Sequence, residues 1–172
     1  MKSLEFTQQL PEGFDDRSRV WIYQCSRLLS LSEVLDAESR INEFVQSWSS
    51  HGAAVKGFGT VFFGRFVVLI ADESTHGVSG CSTDSLVRFI KEIEKSYNVS
   101  FFDRTQLAFL INDAVQMLPL TQLPYALENG FIKKETLYFN NTITQLHELR
   151  NHWIIPMSES WLMRKFGTTI QG

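Results

Sequence analysis

Apolar residues fall at Val34, Ala37, Ile41, Phe44, Val45 and Trp48, a spacing that lays them along one face of a helix. Glu33, Asp36, Glu38, Arg40 and Glu43 lie mostly off that face. The helix start is marked too. Ser30-Leu31-Ser32-Glu33 has the form of a capping box, in which the serine hydroxyl takes the amide three residues on and the glutamate reaches back to the serine amide. Leu29 and Val34 occupy the two positions of a hydrophobic staple. Gly52, after Ser49-Ser50-His51, reads as a helix stop. Upstream, Arg19 to Cys25 alternates and is rich in β-formers, which predicts a strand. Residues 1–18 hold Pro11, Gly13, Asp15, Asp16 and Ser18 and read as an irregular arm.

Residues 53–71 are β-rich but too long for one strand. They read as a hairpin of about 53–63 and 66–71, turning at Gly64-Arg65, with Gly57 and Gly59 as candidate bulges. The second of these strands is a continuous apolar run, as expected of a central strand covered by helices. Ser82 or Asp84 caps a second helix that buries Leu86, Ile90, Ile93 and Tyr97. Thr105 to Ile111 is another apolar strand, ended by Asn112-Asp113. The order βαββαβ over 19–113 predicts an α+β, ferredoxin-like core: an antiparallel sheet with two helices on one face, its first and third strands side by side. Residues 114–172 form an apolar C-terminal extension of the same single domain, 1–172. Trp153 to Met157 and Trp161-Leu162-Met163 must be covered, either on the open face of that sheet or by a second subunit.

Composition narrows the function classes. The 172 residues are 44% hydrophobic and 20% charged, with a net charge of −3. That is enough apolar material for a core, which excludes a disordered chain. No basic excess exists to neutralise phosphates, so nucleic acid is not an expected partner. Met1 to Leu10 has no apolar core of a signal peptide. The longest apolar runs, Phe66 to Ala71 and Leu107 to Ile111, fall far short of the roughly 18 residues that span a bilayer. The expectation is a cytoplasmic protein with no membrane partner, in which Cys25 and Cys81 are reduced thiols. Two cysteines are too few for a disulfide scaffold or a four-cysteine zinc site.

The most chemical stretch is Asp72 to Asp84, which holds three carboxylates, an imidazole, a thiol and several hydroxyls around the start of a helix. Cys81 at the helix N-terminus is the candidate nucleophile, His51 or His76 the base, and Asp72 or Glu73 the group that orients the base. The ferredoxin-like topology would bring the His51 loop to the same end of the sheet. Asp72, His76 and Cys81 have no diagnostic metal spacing, and no metal or cofactor is predicted. Gly59 to Gly64 has the glycine spacing of a phosphate loop but lacks its lysine and hydroxyl residue. His147 and His152 are five apart, which turns them away from one another on a helix. No catalytic signature is complete. The leading expectation is therefore a non-enzymatic interaction or dimerisation module, working as a homodimer or on a protein partner through the C-terminal apolar segment. The alternative is a small enzyme centred on Cys81.

Several strings resemble a family of bacterial proteins of unassigned function, found mainly in Bacteroidetes. They are Arg19 to Gln24, Trp48-Ser49-Ser50-His51-Gly52, Phe66 to Leu69 followed by Asp72-Glu73, Gly80 to Ser85, Phe101-Phe102-Asp103-Arg104, and Trp153 with Pro156-Met157 and Ser160-Trp161-Leu162. Members are often labelled "ABC transporter ATPase". This chain has neither a complete phosphate loop nor an ABC signature, so the resemblance implies a cytoplasmic bacterial protein and transfers no catalytic residues.

Overall fold

A computed structural model describes residues 5–75, 77 and 80–167. The chain divides into two compact units: Leu10–Asp103 with Thr144–Leu149, and Met1–Gln9 with Arg104–Ile143 and Arg150–Gly172. The boundary at Asp103 falls inside the segment expected to form one core.

The first unit contains β1 (Arg19–Gln24), α1 (Leu31–Ser47), the two-residue strands β2 (Ser49–Ser50) and β3 (Ala53–Ala54), β4 (Lys56–Phe62), β5 (Phe66–Asp72) and α2 (Gly80–Tyr97). Its sheet has the order β1-β5-β4 and is antiparallel throughout, with Trp21 opposite Leu69 and Gly59 opposite Leu69 on the other side. Every residue of β5 is buried, which is why its sequence is an unbroken apolar run rather than an alternation. Both helices pack on the face that carries Val67, Leu69 and Ala71. Ala37 and Ile41 come from α1, and Leu86, Ile90 and Ile93 from α2. The start of α1 is the capping box read from the sequence: Glu33 N–H donates to Ser30 Oγ at 3.2 Å, and Ser30 N–H donates to Glu33 Oε2 at 2.8 Å.

Gly57 and Gly59 are not bulges. The β4–β5 register runs through both without a slip. They are there because α1 lies directly on β4. A Cβ on Gly59 would run into Ile41 Cγ2 and stand 2.9 Å from Leu69 Cδ2, and one on Gly57 would lie 3.1 Å from Trp48 Cε3. Gly52 is not the helix stop either. The helix ends at Ser47, and His51-Gly52 form the turn of the β2–β3 hairpin with φ of 50° and 81°. The β4–β5 turn is centred on Phe63-Gly64, with φ of 55° and 61°, one residue earlier than expected.

The α+β class with antiparallel sheets is what the chain forms, but the ferredoxin-like sheet is not completed as expected. The predicted fourth strand does not join β1. In its place the free edge of β1 is met by residues 144–147: Val20 N–H donates to Thr144 O at 2.8 Å, Leu146 N–H to Ser18 O at 2.9 Å, and Arg19 bridges Gln145.

The second unit holds β6 (Gln106–Ile111), β7 (Ala114–Pro119), α3 (Leu123–Glu128), β8 (Leu137–Phe139), β9 (Ile154–Pro156) and α5 (Trp161–Phe166). The helix α4 (Leu146–His152) carries the chain from its Thr144–Leu149 segment back into this unit. The antiparallel sheet order is β7-β6-β8-β9. The sequence predicted strand 105–111, and Asn112-Asp113 does end it. Those two residues, with φ of 51° and 57°, then fold the chain straight back into β7 as a tight hairpin. The C-terminal apolar segment is consumed here. Ile155 pairs with Tyr138 in the sheet, and Met157 and Leu162 are fully buried in a cluster with Phe109 and Leu123. Trp153 is fully buried, 5.0 Å from the Phe6 ring and 5.4 Å from that of Phe139. Phe6 lies in a 3₁₀ turn, Phe6–Gln9, so this part of the expected irregular arm is ordered and anchored.

Candidate functional site

Two regions of the first unit bear on function. The first is the end of the sheet where the sequence gathers its titratable residues. Asp72 closes β5 and is only 3% exposed. Its Oδ2 accepts from Lys56 Nζ at 2.9 Å and from Asp15 N–H at 3.3 Å, and its Oδ1 from Ser74 N–H at 2.9 Å. Burial pushes the Asp72 carboxyl up, and the hydrogen bonds from Lys56, Ser74 and Asp15 together outweigh it, holding the group well below the usual carboxylate range. Lys56 Nζ also donates to Gly13 O at 2.7 Å and lies 4.7 Å from the Phe14 ring. Asp72 therefore ties residues 13–15 to the ends of β4 and β5. Glu73 sits on the opposite side of the strand end, its Oε1 3.9 Å from Arg19 Nη1.

The expected approach of the His51 hairpin to the 72–84 segment is present. Ser50 Oγ donates to Gly77 O at 2.9 Å, Ser82 Oγ to Ser49 O at 2.7 Å, and Trp48 Nε1 to Ser82 O at 3.1 Å. Ser82 is buried inside the first turns of α2, which begins at Gly80. Phe44, Ser47, Trp48, Ser49, His51 and Ser85 line a cleft of about 310 Å³ beside these bonds. His51 is exposed on its turn, and among the described residues no carboxylate orients it. His76 lies outside the described residues. Cys81 lies in the first turn of α2, with its side chain outside what is described. Among the described residues no group of three His, Cys, Asp or Glu could hold a metal.

The second region was not singled out in the sequence. It is the corner where the β1–α1 loop meets the tip of the β4–β5 hairpin. Cys25 N–H donates to Arg65 O at 2.7 Å, Leu29 N–H to Gly64 O at 2.9 Å, and Arg65 Nη1 to Cys25 O at 3.2 Å. Arg27 locks the loop to both helices: its guanidinium makes a two-pronged pair with Glu33 at 2.8 and 2.7 Å, and Nη2 donates to Tyr97 O at 2.7 Å. The Arg27 hydrogen bond and the Ser30 amide hold the Glu33 carboxyl down to about 2. On this rigid corner three leucines face outward: Leu28 is 60% exposed, Leu31 76% and Leu35 63%. The signal was readable, since Leu31 and Leu35 are one turn apart and lie off the apolar face of α1.

No family model matches the chain, and neither a curated protein nor a solved structure does. Among the described residues no helix is long and apolar enough to cross a membrane.

Proposed function

We propose that the protein is a non-enzymatic interaction module that self-associates through Leu28, Leu31 and Leu35. The observation that carries this reading is the exposure of three leucines on a corner that is otherwise held rigid. The C-terminal segment, expected to serve the same purpose, is built into its own sheet and core, so the contact is assigned to the leucine corner instead. Together the three leave about two whole leucine side chains uncovered, so covering them contributes about 3–6 kcal/mol per copy. Set against a cost of about 4–15 kcal/mol for bringing two molecules together, the two copies' combined burial supports a weak dimer, with a dissociation constant no tighter than about micromolar. We assign the protein to the cytoplasm, a reading supported by Cys25, a buried free thiol. Its first unit is read as a split βαβ whose fourth-strand position is taken by residues 144–147.

Sedimentation velocity across roughly 1–200 μM tests the proposal. Wild type should pass from monomer to dimer, and Leu31→Gln/Leu35→Gln should stay monomeric with an unchanged circular dichroism spectrum. A wild type that is monomeric throughout, or a dimer indifferent to the leucine changes, overturns it. A second reading, the Cys81-centred enzyme with His51 as base, is favoured by one observation: the hydrogen bonds that hold the His51 hairpin against Gly77 and Ser82.

A further inference from the structure

The outer strands of the two larger sheets are β1, β4, β7 and β9, and three of these edges are interrupted. The edge of β1 is met by residues 144–147. On β4, Val61 N–H donates to Glu38 Oε1 at 2.6 Å, and just ahead of the strand Val55 N–H donates to Trp48 O at 3.0 Å. The short β9 ends in Pro156, which has no N–H to give. The edge of β7 carries no such device. Its register with β6 runs from Ala114 to Pro119 without a slip, and no side chain along it is charged. An edge in this state pairs readily with another chain. Pro119 blocks only its last position.

The turn at Asn112-Asp113 decides which groups point outward. A two-residue hairpin makes Ile111 and Ala114 a hydrogen-bonded pair, so Ala114, Gln116 and Leu118 exchange their bonds with β6. Leu120 N–H donates to Thr105 O at 2.8 Å, which continues the same alternation. The N–H and C=O groups of Val115 and Met117 therefore point away from β6, about 7 Å apart along the strand. Among the described residues no backbone group pairs with them there. Val115 and Met117 are half-buried on one face of the strand, and Ala114 and Gln116 are exposed on the other. Asp113 is exposed at the hairpin tip, at the opposite end of this row from Pro119, and among the described residues it makes no ion pair.

We propose that β7 receives an extended segment of a partner protein as an added antiparallel strand. That segment is apolar at the positions opposite Val115 and Met117, uncharged between them, and basic at the position opposite Asp113. The proposal rests on reading the protein as an interaction module and gives it a second contact, for a different molecule. In strand addition the backbone bonds hold the segment, and its alternate side chains decide which segment is held. The charge at Asp113 and its absence along 114–119 set that choice. A second copy of this chain is the poorer occupant. Pairing Val115 of one copy with Met117 of the other sets Pro119, with neither N–H nor charge, against Asp113.

The probe is the capped peptide Thr-Val-Thr-Val-Thr-Lys, titrated into ¹⁵N-labelled protein and followed by amide chemical shifts. Saturable shifts should centre on Val115 and Met117. The same peptide with both valine nitrogens methylated cannot donate to the edge and should bind about tenfold or more weakly. Met117→Pro removes one outward N–H, leaves the bonds to β6 in place and should weaken the parent peptide by a similar factor. The methylated peptide keeps the test valid if that variant fails to fold. Asp113→Asn preserves the turn, because asparagine accepts positive φ. It should weaken the lysine peptide about two- to fivefold and leave a threonine-ended peptide unchanged. No shift at β7, or binding that survives methylation, overturns the proposal. Equal binding of the lysine peptide by Asp113→Asn overturns the basic position. Val115 and Met117 shifts that grow with protein concentration in Leu31→Gln/Leu35→Gln, without peptide, give the edge to a second copy and overturn the partner. That leucine variant should otherwise bind the peptide like wild type, so a failure of self-association and a failure at β7 are read separately.

Discussion

Replacing Gly59 by alanine tests the packing of α1 on β4 with a single methyl group. The new Cβ would collide with Ile41 Cγ2, stand 2.9 Å from Leu69 Cδ2 and lie 3.5 Å from Val68 O, so it is enclosed on three sides by core atoms. Two effects oppose each other. Alanine restricts the unfolded chain and contributes about 0.5–1 kcal/mol in favour of folding. Overpacking costs about 1–3 kcal/mol, because Ile41 and Leu69 are fully buried. The clash wins, and Gly59→Ala should lose about 1–2 kcal/mol. Gly57→Ala is the milder comparison: its nearest atoms are Trp48 Cε3 at 3.1 Å and Val45 Cγ1 at 3.3 Å, so the neighbours need give by only a few tenths of an ångström. It should change stability by less than about 0.5 kcal/mol. Urea unfolding followed by circular dichroism and tryptophan fluorescence measures both, with Trp21 and Trp48 in the affected unit. Ile41→Ala removes the colliding methyl and costs about 2–5 kcal/mol alone. Combined with Gly59→Ala it should cost about 1–2 kcal/mol less than the two changes added together. A Gly59→Ala protein as stable as wild type, or less affected than Gly57→Ala, refutes this account of the glycines.

Two further predictions concern the ionisable groups. Asp72→Asn should lose about 1–3 kcal/mol by breaking the bond to Lys56. Because the folded-state pKa of Asp72 is depressed, its contribution is complete above the ordinary value of 3.8 and drains away as pH falls below it. Urea midpoints measured down through that range should therefore fall more steeply for wild type than for the variant, and equal slopes would contradict the assignment. Burial pushes the Cys25 thiol up, so a Cys81→Ala protein should take no iodoacetamide until urea is added. In a Cys25→Ala protein, an ordinary or slow rate at Cys81 favours the interaction module, and fast alkylation near neutral pH favours the enzyme.

Local chemistry was the legible part. Ser30 and Glu33 declared the helix start because a capping box is complete within four residues. The faces of α1 and α2 followed from their periodicity, and the unbroken run of β5 announced a strand buried on both sides. What failed was partner choice. Nothing in residues 105–111 distinguishes an edge beside β1 from a place between β7 and β8, since register is decided by elements that come later. Gly57 and Gly59 were misread because a bulge and a close helix approach call for the same residue. At the candidate site, the sequence located the meeting of the His51 hairpin with the 72–84 segment. It did not show Arg65 as a buried cation, because an arginine beside a glycine in a turn looks solvated, and its burial comes from the Cys25–Leu29 loop folding over it.

The hydrogen bonds between Ser18, Val20 and residues 144–146 also constrain biosynthesis. A chain leaves the ribosome N-terminus first, and a unit can close only when its last segment has emerged. Here β1, α1, β4, β5 and α2 are all made well before the piece that satisfies the outer edge of β1. Through that interval the edge is a row of unpaired backbone groups, open to the wrong strand. The strands next synthesised, β6 and β7, are apolar and adjacent in the chain. Their tight hairpin at Asn112-Asp113 pairs them with each other at once, which keeps them from the waiting edge until Thr144 arrives.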